Sequence, residues 1–290
     1  MLRIADKKFT SVLYDNLFES SSYDCTINKV LKGTVTNRHH YSKDESQEWF
    51  GFDSQAIAEE KIKFGWAEGV ERIQELAIKE INPVSLKRKR VRQSQGDELD
   101  IHAVNRGDFG RAWTKTKRMN VNGVKNKNIT LFCNLTSSWH LTADMLFYRG
   151  ASILKITEAL TEVGYNVSIY GFSVVDKAGD DKKNNFTFAQ LVEIKSLDNP
   201  LDLNNLASVI ASPAYKRLYL HGGVVDECEI RGIVSRDGLG GTCFGDFEII
   251  QAITSLGCFS DTYFIQPYQI FDQKQAEEWI DSVMEQIEGQ

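Results

Sequence analysis

The stretch ITLFCNLTSSWHLTADMLFYRG, residues 129–150, decides the fold class. It opens with a nearly continuous apolar run, as a strand buried on both faces requires. Asn134, Thr136 and Ser138 then follow at alternate positions. Thr142 can cap a helix in which Met145, Leu146, Ile153, Leu154, Ile156 and Leu160 recur at helical spacing, and Gly164 is the natural stop. The next apolar run, YNVSIYGFSVV (165–175), completes a strand, helix, strand crossover, which favours parallel strands joined with right-handed connection.

Downstream the alternation continues. FTFAQLVEIKS (186–196) reads as a third strand, LDLNNLASVIASPAYKR (201–217) as a helix broken near Pro213, and RLYLHGG (217–223) as a fourth strand. FEIIQAITSLG (247–257) reads as a helix, DTYFIQP (261–267) as a fifth strand, and DQKQAEEWIDSVMEQIEG (272–289) as a terminal helix capped by Asp272. Five strands alternating with helices predict an α/β domain over 129–290, three-layered, with a mostly parallel, doubly wound sheet. Upstream, residues 1–50 are polar and read as an irregular appendage. Residues 51–83 read as a helix or helix pair, capped by Asp53 or Ser54, divided at Gly65 or Gly69 and ended by Pro83. Its apolar face comprises Ile57, Ile62, Phe64, Trp66, Val70, Ile73 and Leu76.

Residues 84–128 read as a basic connector. They carry twelve Lys and Arg against four Asp and Glu, a local excess of +8 in a chain whose formal net charge is -6 and whose pI is about 5.5. The overall acidity excludes a protein that coats nucleic acid with its whole surface. It leaves a basic face made of Lys87, Arg88, Lys89, Arg90, Arg92, Arg111, Lys115, Lys117 and Arg118 around Trp113. Cations interleaved with an aromatic ring suit single-stranded nucleic acid, by phosphate contact and base stacking. A solvated linker, or a basic strand paired with the chain's own acidic surface, accounts for the same residues.

No apolar stretch approaches the roughly 18 residues that cross a bilayer, and the amino terminus lacks the apolar core of a secretory signal. The expectation is a cytoplasmic protein without a membrane partner. Its five cysteines are scattered and form no C-x-x-C pair, so free thiols are expected.

An apolar strand ending in N-x-T-x-S, followed by a helix and the strand NVSIYGFS, resembles the start of a von Willebrand factor type A domain, whose metal-ion-dependent adhesion site begins D-x-S-x-S. The resemblance covers about residues 125–290. It implies a strand-end loop of Asn134, Thr136, Ser138, His221 and Thr242, with a magnesium ion as the cofactor where that site is intact. Here Asn134 stands in place of the aspartate, LHG (220–222) stands where a strand often ends in T-D-G, and Thr242 follows that segment rather than preceding it. Magnesium is usually held by one or two carboxylates. The three motif residues here are neutral, so no cofactor is expected, and the hydroxyls also read as strand-end and helix-cap groups. Substitute carboxylates would be Asp144, Asp226, Asp237 or Asp246, though no spacing requires them. KFGWAEGVERIQELA followed by the α/β part also resembles uncharacterised bacteriophage and bacterial proteins, which would place the protein in a host cytoplasm.

His140 and His221 are the candidate acid-base residues, but no nucleophile elbow accompanies them. No phosphate-loop motif exists, and the glycine-rich RDGLGGTCFGD (236–246) lacks its lysine. The sequence therefore supports a binding protein with a protein partner on the strand-end loops, or alternatively a nucleic-acid-binding accessory factor using residues 87–118.

Overall fold

The computed structural model describes residues 1–19, 50–75, 87–95, 98–119, 128–138, 141–179, 183–234, 241–242, 246–257 and 262–288. In chain order the first elements are β1 (Leu2–Ala5), β2 (Phe9–Tyr14), α1 (Gln55–Phe64) and α2 (Ala67–Glu75). Then follow β3 (Lys87–Gln93), β4 (Glu98–Leu99), α3 (Ile101–Asn105), a 3-10 turn (Phe109–Arg111) and β5 (Trp113–Met119). The remainder is β6 (Asn128–Asn134), α4 (Ala143–Glu162), β7 (Asn166–Asp176), β8 (Thr187–Lys195), α5 (Leu203–Ile210), a π-helical turn (Lys216–Leu220), α6 (His221–Arg231), β9 (Gly241–Thr242), α7 (Asp246–Leu256), β10 (Thr262–Ile265) and α8 (Gln273–Glu288). Two compact units result: Met1–Lys79 with Asn128–Glu158 and Val167–Gln290, and Glu80–Lys127 with Ala159–Asn166.

The larger unit is α/β with a mostly parallel central sheet in the order β1-β2-β8-β7-β6-β10. β10 runs parallel to β6, and β2 parallel to β8. β6 and β7 are also parallel: Thr130 meets Ser168, Leu135 N–H donates to Phe172, and Val174 N–H donates to Thr136, so both strands advance together. β7 and β8 form an antiparallel hairpin. β9 pairs with Val175 and Asp176. Because Val175 already pairs with Phe188 of β8 on one side, β9 must lie on the β6 side of β7, beyond the end of β6.

Helices cover both faces. One face buries Phe132, Phe172, Val174, Ala189 and Leu191 against Ile249, Ala252, Ile253 and Leu256 of α7. On the opposite face Thr10 reaches Glu227 of α6, and Gly223 of α6 lies where an added Cβ would come within 2.2 Å of Gln190 Oε1. Gly150 of α4 serves a similar close approach, since a Cβ there would fall 2.2 Å from the carbonyl oxygen of Ile210 in α5. No described helix is long and apolar enough to cross a membrane.

Several sequence expectations change. RLYLHGG is not a strand: Lys216–Leu220 is π-helical and His221 begins α6. Leu218, Tyr219 and Leu220 are all buried, and an apolar run buried on every side reads alike as helix or strand. Residues 1–14 are not an appendage, because β2 pairs with β8 and β1 with β2 at the edge of the main sheet. Polar spacing hid this: Thr10 and Ser11 are fully buried yet hydrogen-bonded, to Glu227 and Ser255. The basic stretch is not a connector, since β3, β5 and β4 form their own antiparallel sheet. Phe64, assigned to an apolar face, is 79% exposed at the end of α1.

Other expectations are met. Ser54 caps α1, Gly65 ends it with φ 95°, Asp272 accepts from Gln275 N–H at the start of α8, and Gly164 adopts φ 95° after α4. Leu76 and Pro83 lie outside the described residues. Cys133 and Cys228 are buried free thiols, and burial pushes Cys133 up to about 12.

Candidate functional site

At the carboxyl end of β6, where α/β sheets place ligands, the chain turns on its own polar atoms. Asn134 Oδ1 accepts from Thr136 N–H at 2.9 Å, and Asn134 N–H donates to Gln266 Oε1 at 3.1 Å. Thr136 Oγ1 accepts from Val174 N–H at 3.1 Å, which ties the turn to β7. Asn134 and Thr136 are 7% and 2% exposed, so neither presents its side chain to a partner, contrary to their assignment to a contact loop. Ser137 and Ser138 are half-buried.

Basic side chains hold this turn from beneath. Arg149 of α4 donates through Nη1 to the carbonyls of Asn134 at 3.1 Å and Thr136 at 2.6 Å, and through Nη2 to that of Tyr268 at 2.9 Å. Its guanidinium also lies over the Tyr268 ring at 4.8 Å. Gln266 Nε2 in turn donates to the Arg149 carbonyl and Ser152 Oγ. Lys216 Nζ donates to the Ser137 carbonyl at 2.7 Å, and Arg217 Nη2 to that of Leu141 at 3.3 Å. Burial lowers Arg149 to about 10. Burial, with Arg217 and Arg149 nearby, lowers Lys216 to about 7.

His221 is not on a strand-end loop; it opens α6, and burial followed by Lys216 and Arg217 holds its imidazole well below the usual value. Thr242 is on β9 opposite Val175, so it shares the β6 side of β7 with Thr136. The structure thus brings Asn134, Thr136 and Ser138 to one turn, sets Thr242 along the same edge and links His221 to it through Lys216. This donor set does not fit magnesium. Its side-chain oxygens are neutral, Asn134 and Thr136 are spent on backbone N–H groups, and guanidinium and ammonium groups stand at the carbonyls. Asp144 pairs with Arg72 at the surface, 2.8 Å away. Among the described residues no three His, Cys, Asp or Glu side chains gather as metal ligands. His140, Asp237 and most of the glycine-rich stretch lie outside the described residues.

The second candidate is the smaller unit's ribbon. β3 and β5 pair over seven positions, with Arg88 opposite Arg118, Lys89 opposite Lys117 and Val91 opposite Lys115. The 3-10 turn carrying Phe109 and Arg111 packs on both strands. Asp100 caps α3 by accepting from His102 and Ala103 N–H, and it pairs with Arg92 at 2.8 Å. The hydrogen bond from Ala103 N–H is the main reason that its carboxyl lies below the ordinary range.

A family model described as "Domain of unknown function (DUF7192)" matches residues 8–288. The chain belongs to the DUF7192 family. Searches among curated proteins and among solved structures gave no match. The DUF7192 match runs from just before β2 to the end of α8, so β2, the basic ribbon and the strand-end turn all fall within it, and β1 precedes it.

Sequence reasoning missed Arg149, Lys216, Arg217 and Gln266. One signal was available: Arg149 and the pair Lys216-Arg217 each interrupt an apolar helical pattern, where charged residues are rarely buried without a special partner.

Proposed function

We propose that this DUF7192 protein is a binding rather than catalytic protein, an accessory factor that holds single-stranded nucleic acid on its basic ribbon. The observation that carries the reading is the register of β3 and β5. Like charges set directly across an antiparallel pair destabilise it, and here Arg88 faces Arg118 and Lys89 faces Lys117. A polyanion lying along the ribbon offsets that repulsion. Trp113, 36% exposed, and Phe109, 67% exposed, add ring surfaces on which bases can stack.

In the same reading the larger unit is a doubly wound, von Willebrand A-like platform. The crossover from β6 through α4 to parallel β7, the hairpin to β8 and the helices on both faces support it. Its strand-end turn is a metal-free variant of that family's site. A protein partner is the second reading, favoured by Ile101 and Phe109, exposed at 64% and 67% on the smaller unit.

Fluorescence anisotropy with a single-stranded oligonucleotide and its duplex tests the proposal. Affinity should fall by orders of magnitude between about 50 and about 200 mM salt. Replacing Arg88, Lys89, Lys117 and Arg118 together by Gln should abolish binding while circular dichroism stays unchanged. No binding at low salt, or full binding by the folded quadruple variant, overturns it. A pull-down whose captured protein survives nuclease treatment and requires Phe109 supports the second reading instead.

A further inference from the structure

The negative charges of the basic stretch are not spread along it. Residues 84–128 hold Asp97, Glu98, Asp100 and Asp108, so every acid in the stretch falls between residues 97 and 108. From Glu98 onward that segment forms β4 and α3, and it is fastened to one end of the ribbon. β4 pairs with β5 at Thr114 and Trp113, and Asp100 N–H donates to the Ala112 carbonyl at 2.7 Å. Arg92 of β3 lies opposite Thr114 on one side, and Glu98 lies opposite it on the other.

One contact joins the acidic segment to the basic row. Asp100 Oδ1 accepts from His102 N–H at 3.0 Å and from Ala103 N–H at 3.2 Å, while Oδ2 meets Arg92 Nη2 at 2.8 Å. The carboxylate is therefore anchored by the start of α3, and its side chain is only 16% exposed. Arg92 is 57% exposed, so the guanidinium is reachable from solvent while it is paired. An ion pair with an exposed member contributes little and is readily exchanged for another anion. A phosphate suits the planar guanidinium as well as a carboxylate does.

We propose that Asp100 is an intramolecular competitor for the phosphate that Arg92 binds. In the free protein the carboxylate occupies the guanidinium, and a nucleic-acid strand exchanges it for a phosphate to fill this end of the ribbon. The anchored carboxylate stays close after the exchange and repels the incoming phosphate, so Asp100 limits affinity at the Arg92 end. The proposal rests on the reading of the ribbon as a nucleic-acid site, and it adds to that site a residue that sets its strength.

Fluorescence anisotropy of the full chain with a single-stranded oligonucleotide tests it at about 100 mM salt, where screening confines charge effects to about 10 Å. Asn and Ser cap helices as Asp does, so Asp100→Asn and Asp100→Ser remove the charge and keep the cap. Each should tighten binding about threefold to fivefold. When Arg92 is replaced by Gln the gain should fall below about 1.5-fold, because the competitor then has nothing to occupy. An equal gain in both backgrounds means a general charge effect and overturns the proposal, as does the absence of a gain in the folded variants. Binding by wild type with no gain removes this proposal alone, whereas no binding by wild type or either variant removes the ribbon reading with it. In the wild type the Asp100 carboxyl carbon resonance must also shift when the oligonucleotide saturates the protein. An unmoved resonance overturns the proposal whatever the variants do.

Discussion

Glu227 and Lys216 lie on one continuous helical stretch and are both buried, but they are treated in opposite ways. Glu227 sits in a complete ionic network: Arg3 binds both carboxylate oxygens at 2.7 and 2.8 Å, Arg231 donates at 2.8 Å and Thr10 at 3.0 Å. Burial alone would raise its carboxyl, yet the hydrogen bonds from Arg3, Arg231 and Thr10 hold it below the ordinary range. Arg231 is further fixed over the Phe186 ring at 4.1 Å and on the Asp6 carbonyl. This network fastens β1 and β2 to α6. Among the described residues Lys216 donates to one carbonyl, and burial, with Arg217 and Arg149 nearby, pushes it down to about 7. A buried charge held by its counter-charges stabilises a fold, whereas one held among the described residues by a carbonyl alone carries a larger cost of burial.

The largest expected effect tests the first half of that contrast. Glu227→Ala leaves Arg3 and Arg231 without their carboxylate and should destabilise the protein by about 3–5 kcal/mol in urea denaturation. Its folded-state pKa is lowered, so the stability it contributes is present above the unfolded carboxylate pKa and is lost as pH falls through the folded value. A loss under about 1 kcal/mol would place Glu227 with surface pairs and break the comparison.

Lys216→Met should act in the opposite direction, raising stability by about 1–4 kcal/mol. The sign follows from the lowered pKa: from about 7 up to the ordinary lysine value the unfolded chain binds more protons, so wild-type stability rises with pH across that window. The advantage of Lys216→Met is therefore greatest below pH 7 and shrinks on going alkaline. Denaturation curves at pH 6 and pH 9 measure it; a variant less stable at both would show that the bond to Ser137 outweighs the burial of charge.

The smallest effect is expected from Asn134→Asp. Thr136 N–H keeps its acceptor, but a carboxylate oxygen replaces the Nδ2 donor against the Gln266 carbonyl oxygen, so stability should fall by about 1–3 kcal/mol. Calorimetry should show no magnesium binding, because Arg149 holds the carbonyls of residues 134 and 136. Magnesium binding by this variant would return the turn to the metal-site class and separate it from the Lys216 cluster.

Where local rules govern, the sequence was legible. Ser54, Gly65, Thr142, Gly164 and Asp272 mark helix ends through contacts within a few residues of themselves, and the crossover from β6 to β7 follows from two apolar runs around one helical period. The strand-end turn was legible as a location, but not in its contents. Arg149, Gln266 and Lys216 come from α4, the end of β10 and the π-helical turn, and no spacing in the chain records that they meet at residue 134. The ribbon was legible as charge, but its pairing was not, because alternation of Lys and Arg carries no hydrophobic period.

The sequence by itself determined the α/β class, the ends of α1, α4 and α8 that Ser54, Gly65, Gly164 and Asp272 mark, and the concentration of positive charge in residues 84–128, since each depends on neighbours along the chain. Only the tertiary structure decided that RLYLHGG is helical, that β1 and β2 join the main sheet and that like charges face each other across the ribbon. It also decided that the N-x-T-x-S turn rests on cations. The physical reason is the same in each case: burial and counter-charge are set by residues far apart in sequence, and those terms outweigh local preference.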